Sequence, residues 1–125
     1  MLLQGERREL LHDIASVLGP AEVLLLQREA RAVHVSPALL DYVQALVART
    51  RAQLALGLSP RAAQGLLRAA QAWALIEGEP AVLPEHVQTV FPAIAAHRLL
   101  THEGEAVEGG SEMADALIRA TPVRL

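Results

Sequence analysis

The chain contains no cysteine, no lysine and no asparagine, and its 125 residues include one Trp, one Tyr and one Phe. The missing cysteine excludes a disulfide framework, a thiolate nucleophile and a zinc–thiolate centre. The missing lysine excludes the Gly-x-x-x-x-Gly-Lys-Ser/Thr loop, whose backbone N–H groups surround nucleotide phosphates. No apolar run approaches the roughly 18 residues of a membrane-spanning helix, so no membrane span is expected. Met1-Leu2-Leu3 is followed directly by Gln4-Gly5-Glu6-Arg7-Arg8, which lacks the basic-then-apolar order of a secretory leader. The expected location is the cytoplasm. Formal net charge is −3, a balance that argues against broad attraction to a nucleic-acid backbone.

What is present is aliphatic and helix-forming. Hydrophobic residues make up 52% and aromatics 2%, so the core must be Leu, Val, Ile and Ala. Ala and Leu favour helices over strands. Periodicity predicts a short helix over 6–18 with Leu10, Leu11, Ile14 and Leu18 on one face. A second runs over 21–30 with Val23, Leu26 and Ala30 inward, and Val33-His34-Val35 is an extended link. Ser36-Pro37 caps a helix over 38–51, whose stripe is Leu39, Val43, Leu46 and Val47 beside Tyr42. Ser59-Pro60 caps another to Ile76, with Leu66, Leu67, Ala70, Trp73 and Ala74 facing the core, and Gly78 ends it. Pro84 opens a helix carrying Val87 and Val90, Pro92 interrupts or restarts it, and Ile94 and Leu99 continue inward. Ser111 caps a last helix over 113–120. The expected fold is all-α, a small helical bundle of about five to six helices with short extended links. Residues 1–20 form a lead-in helix, 21–102 the main helical unit, 103–110 an acidic Gly-rich linker and 111–125 a C-terminal helix and tail.

The stretch most out of keeping with local rules is Gly57-Leu58-Ser59-Pro60-Arg61-Ala62. It reads as a turn glycine, an N-cap, a proline at the first helical position and then a cation. The helix macrodipole favours negative charge in the first turn by roughly 0.3–1 kcal/mol, so Arg61 stands against it. The free N–H groups of that turn and a guanidinium together make a site for an anion, most naturally a phosphate. On residues alone, a solvated or salt-bridged surface arginine is an equal reading. Arg68 lies two turns further along the same face. That stripe admits a helix-turn-helix reading, against which stand the Ala/Leu character of the helix and the negative net charge. Arg51, at the end of the preceding helix, reads first as a cation bonding the loop.

Other chemistry finds little support. His12, His34, His86, His97 and His102 include no His-Glu-x-x-His and no i, i+4 pair, so no metal site is expected. No apolar run ends in paired acids that would hold magnesium. Gly57-Leu58-Ser59-Pro60-Arg61 lacks the last glycine of a serine nucleophile elbow, and Trp73 reads as core.

The order of segments from Val33 to Leu99 resembles the C-terminal helical lid of AAA+ ATPases of the MoxR family. Val33-His34-Val35-Ser36-Pro37 and Tyr42-Val43-x-x-Leu46-Val47-x-x-Thr50-Arg51 are similar to the lid's first stretch. Leu56-Gly57-Leu58-Ser59-Pro60-Arg61-Ala62 resembles the family's sensor 2 motif, Gly-x-Ser-Pro-Arg. Leu66 to Glu77 looks like the helix that follows. Val82-Leu83-Pro84-Glu85-His86-Val87, His97-Arg98-Leu99 and Thr121-Pro122-Val123 resemble the closing segments. At His86 the family usually has an acidic residue, a departure expected to matter little at an exposed helix position.

The resemblance implies a division of labour. Residues 1–20 would leave an ATPase core that lies upstream, with its phosphate-binding loop about one domain's length, roughly 150–200 residues, earlier. The parent would hydrolyse ATP with Mg2+, whereas this chain alone would bind neither and be inactive. Arg61 would be the sensor 2 arginine on the nucleotide phosphates, in its own or a neighbouring subunit, with Ser59 and Arg51 beside it. Partners would be the AAA+ core, neighbouring subunits of a ring and von Willebrand factor A-domain proteins, in chaperone-like remodelling. A stand-alone helical interaction module without nucleotide is the alternative, and a DNA binder a lesser one.

Overall fold

A computed structural model describes residues 2–53, 57–96 and 110–124. Among these residues six helices follow one another: α1 Leu2–Asp13, α2 Pro20–Ala32, α3 Pro37–Gln53, α4 Pro60–Ile76, α5 Pro84–Ala95 and α6 Gly110–Ala120. The all-α bundle expected from composition is what forms. Helices α2, α3, α4 and α5 each begin on a proline. The ring presets φ for a helix, and the N–H it lacks would have had no partner in the first turn. Ser36 and Ser59 act as caps: their Oγ atoms accept from the N–H groups of Leu39 and Ala62, each at 3.1 Å. Gly78 ends α4 in the left-handed region, φ 75°, with its N–H on the Leu75 carbonyl at 3.0 Å. Only glycine adopts that geometry without a Cβ penalty.

Helix α4 is the hub, packing against α2, α3 and α5, while α6 lies across α5 and α3. Leu66, Ala70 and Ala74 on its inner face have no solvent exposure, and neither do Val87, Phe91 and Ala95 of α5. Small alanines along this seam let the two helices approach closely. Two extended links lie side by side beneath them. His34 donates its N–H to the Pro80 carbonyl (3.2 Å), and Val82 donates to His34 (2.8 Å), which buries Val33 and Val82. Gln71 Nε2 on α4 donates to the Val33 carbonyl at 3.0 Å. Gln88 Nε2 on α5 donates to the Tyr42 hydroxyl at 3.2 Å.

Several expectations need correction. Helix α1 stops at Asp13 rather than near residue 18, and Ser16 Oγ instead bonds the Leu18 carbonyl at 2.8 Å. Such local side-chain bonds compete with helix hydrogen bonding. Leu10, Leu11, Ile14 and Leu18 are exposed, as are Val23 and Leu26 of α2. Among the described residues α1 packs on no other helix, and α2 packs on α4 alone, so much of its apolar surface stays uncovered. Trp73 lies at the boundary rather than inside, 36% exposed, with its indole N–H on Glu77 Oε1 at 3.0 Å. Pro92 does not interrupt α5, which runs through it to Ala95. The cost of one lost helix bond is offset by burying Phe91, the largest fully enclosed side chain, on the turn that holds the proline. Ser111 lies within the first turn of α6 and not ahead of it. Of the linker expected over 103–110, Gly110 is instead the first residue of α6; its remainder, with His97, Arg98, Leu99 and His102, lies outside the described residues.

Leu66→Ala is expected to lower stability by about 2–5 kcal/mol, whereas Leu10→Ala should change it by no more than about 0.5 kcal/mol. Urea titration of the two variants reads the contrast directly.

Candidate phosphate-facing site at the start of helix α4

Ser59 is extended (φ −70°, ψ 163°) and caps α4. Its carbonyl accepts the first intrahelical bond, from Ala63 N–H at 2.9 Å. Pro60 has no N–H, and Ala62 N–H is taken by Ser59 Oγ. The backbone donors of the first turn are therefore mostly used, and among the described residues only that of Arg61 has no partner. Whatever anion binds here must be held chiefly by the guanidinium.

Arg61 is exposed and shares a shallow concavity of about 290 Å3 with Gln64, Gly65, Arg68 and Ile94. Helix α4 carries no acidic residue between Pro60 and Ile76. Among the described residues no carboxylate comes within 4.0 Å of Arg61 or Arg68. The two guanidiniums thus form a local positive patch on a chain whose net charge is −3. Such a patch favours a polyanion by simple Coulomb attraction, weakened in salt.

Behind Arg61 the chain is clamped. Thr50, with no exposed surface, donates its hydroxyl to the Val47 carbonyl at 2.7 Å and accepts the Leu58 N–H at 3.0 Å. Arg51 Nε donates to the Leu58 carbonyl at 2.8 Å. Both backbone groups of Leu58 are therefore held by the last turn of α3. A Cβ at Gly57 would lie 2.6 Å from the Arg51 backbone nitrogen, so the close approach requires glycine. Of the three residues singled out from sequence, Ser59 and Arg61 sit together at the start of α4. Arg51 reaches the same loop from the other side, its Nε already engaged. Thr50 is the member of this clamp that sequence reasoning misses; its one signal is a threonine beside Arg51 at a helix end, with the glycine of a turn shortly after.

His86 differs from its expected exposed position. It is buried (2% exposed) at the third position of α5. Its Nδ1 accepts the Leu83 N–H at 2.9 Å, which leaves the hydrogen of the neutral ring on Nε2, 2.9 Å from Glu77 Oε2. Glu77 also receives the Trp73 indole. An acidic residue at this position would close a capping box with the same backbone N–H. Here an imidazole supplies the acceptor and gains a second bond to the end of α4. His86 is therefore a buried cap, not the exposed residue of little consequence expected from sequence.

A family model described as AAA lid domain matches residues 46–120. The chain belongs to the AAA lid domain family. Chaperone MoxR1 of Mycobacterium tuberculosis is 33% identical over 127 residues, covering 86% of this lid and 34% of that protein. Protein MoxR of Paracoccus denitrificans is 43% identical over 81 residues, covering 53% and 24%. The uncharacterized protein YeaC of Bacillus subtilis is 30% identical over 116 residues, covering 91% and 36%. A crystal structure of a protein from Cytophaga hutchinsonii assigned as an ATPase superposes with a TM-score of 0.74 at 28% identity, covering 84% of the lid and 36% of that chain. The lid is thus of the MoxR-family AAA+ type, and it spans about a third of the length of these longer relatives.

Removing the Ser59 cap (Ser59→Ala) should cost the lid about 1 kcal/mol. His86→Ala strands a backbone N–H and should cost about 1–3 kcal/mol. Thermal unfolding followed by circular dichroism measures both.

Proposed function

We propose that this lid couples ATP binding and hydrolysis in a MoxR-type AAA+ ring to movement of the ring's subunits, with Arg61 as its phosphate-sensing group. The observation that carries the reading is Arg61 itself: an exposed cation in the first turn of α4, with no carboxylate within 4.0 Å among the described residues. A charge set against a helix dipole, with no carboxylate at hand among the described residues, gains when an anion arrives. The guanidinium is permanently charged and forked, which suits the terminal phosphates of ATP and the charge that grows on the transferring phosphoryl group. Arg68 shares the concavity and would add to its positive potential. Bound nucleotide supplies the phosphoryl group. Mg2+ would be held by the ATPase core, since the lid presents cations to the nucleotide.

The exposed leucines of α1 and α2 support docking against that core: Leu10, Leu11, Leu24 and Leu25 are all more than half exposed. Covering such a face would contribute about 25 cal/mol per Å2 of apolar surface removed from water. Arg61 would then act on nucleotide in its own subunit or in the neighbour. Chaperone-like remodelling and von Willebrand factor A-domain partners complete the proposal by kinship with the MoxR relatives. The stand-alone interaction module also needs an exposed apolar face, but it leaves Arg61 without a task.

In the intact ATPase, core and lid together, Arg61→Ala should lower the turnover number for ATP by at least about tenfold, and by up to the roughly hundred- to thousandfold seen when one transition-state donor is removed. Lid stability should hold or rise slightly, because the cation opposed the dipole. Steady-state hydrolysis assays decide it: unchanged turnover rules out the assigned role.

A further inference from the structure

We infer that Thr50 and Arg51 form a latch that aims Arg61, so that they are positioning residues for the phosphate contact; this rests on the reading of Arg61 above. The latch joins the last turn of α3 to the first turn of α4 through a single residue, Leu58. Thr50 takes its N–H at 3.0 Å, and the neighbouring Arg51 takes its carbonyl at 2.8 Å. One peptide residue held at both polar groups cannot rotate about its own axis. The Thr50 hydroxyl is in turn oriented by its donation to the Val47 carbonyl at 2.7 Å, so its lone pair faces Leu58.

Three further contacts remove the remaining freedom. The Leu58 side chain is sunk in the core, 1% exposed. Gly57 lies against the Arg51 backbone with no room for a Cβ. Ser59 then caps α4. From Leu58 the chain runs through Ser59 and Pro60 to Arg61, and both intervening residues are themselves restrained, one by its cap bond and one by its ring. The direction in which α4 starts, and hence where the Arg61 guanidinium can reach, is set by α3. Charge-assisted bonds to phosphate need a separation of about 2.7–2.9 Å, and a misplacement of about 1 Å at a reacting group can cost on the order of a hundredfold in rate. A buried threonine between two helices is therefore well placed to govern turnover without touching nucleotide.

The test is a double-mutant cycle on ATP turnover in the intact ATPase. Thr50→Val keeps the shape of the side chain and deletes both of its hydrogen bonds; Thr50→Ser keeps the hydroxyl. Arg51→Met removes the other half of the latch from an exposed side chain and guards against a folding defect in the threonine variant. Expected are a fall of about tenfold or more in kcat for Thr50→Val and Arg51→Met, recovery in Thr50→Ser, and no further fall when either is combined with Arg61→Ala. Amide exchange at Leu58 should speed up in Thr50→Val. Equal losses with and without Arg61 would mean a merely structural role and overturn the inference, as would unchanged kcat or unchanged Leu58 exchange in Thr50→Val. Normal turnover in Arg61→Ala alone would instead defeat the phosphate reading and take the latch's purpose with it.

Discussion

The constraint on which most of this structure depends is the close contact of α4 with its neighbours through a seam of small and aliphatic side chains. Leu66, Ala70 and Ala74 meet Val87, Phe91 and Ala95 with no solvent between them. A chain with one phenylalanine cannot fill wide gaps between helices, so it brings the helices together instead. Dense packing of this kind has few alternative arrangements. The hub helix is therefore held as a unit, and anything attached to its first turn inherits that rigidity.

On the function proposed for Arg61, function and stability pull in different directions at that first turn. Packing wants α4 fixed, while the dipole disfavours a cation where Arg61 stands. The local cost is offset by the Ser59 cap, the proline and the ties from Thr50 and Arg51 to Leu58. The opposite end of α4 is pinned in its own way, by Gly78 in the left-handed region and by the chain of bonds through Trp73, Glu77 and His86. The helix is tethered at both ends and buried along its inner face, so it moves as a body, which suits the phosphate-sensing role proposed for Arg61.

Much of this was legible in the residues. Cap-plus-proline pairs at Ser36-Pro37 and Ser59-Pro60 and the glycine at position 78 mark helix ends through local chemistry, and α3 and α4 lie where those signals put them. The resemblance to MoxR lids rested on the same punctuation, and the lid family match over 46–120 agrees with it. The errors cluster where local pattern is not enough. Leu10 and Leu11 have the spacing of a buried face, yet no described helix lies against α1. Periodicity tells which side chains share a face, not whether another surface covers it. Pro92 reads locally as a break, yet α5 runs through it, because one missing hydrogen bond is a smaller cost than leaving the Phe91 ring in water.

The sequence by itself determined the all-α class, the limits of the central helices, the absence of a lysine-bearing phosphate loop and the anomaly of Arg61. These follow from composition and from interactions within a few residues along the chain. Only the tertiary structure decided that Thr50 and Arg51 grip Leu58, that His86 is a buried cap joined to Glu77, and that Trp73 sits at the edge. Each of those depends on groups from separate elements meeting at hydrogen-bond distance. Such meetings are set by how helices pack, and no local pattern encodes them.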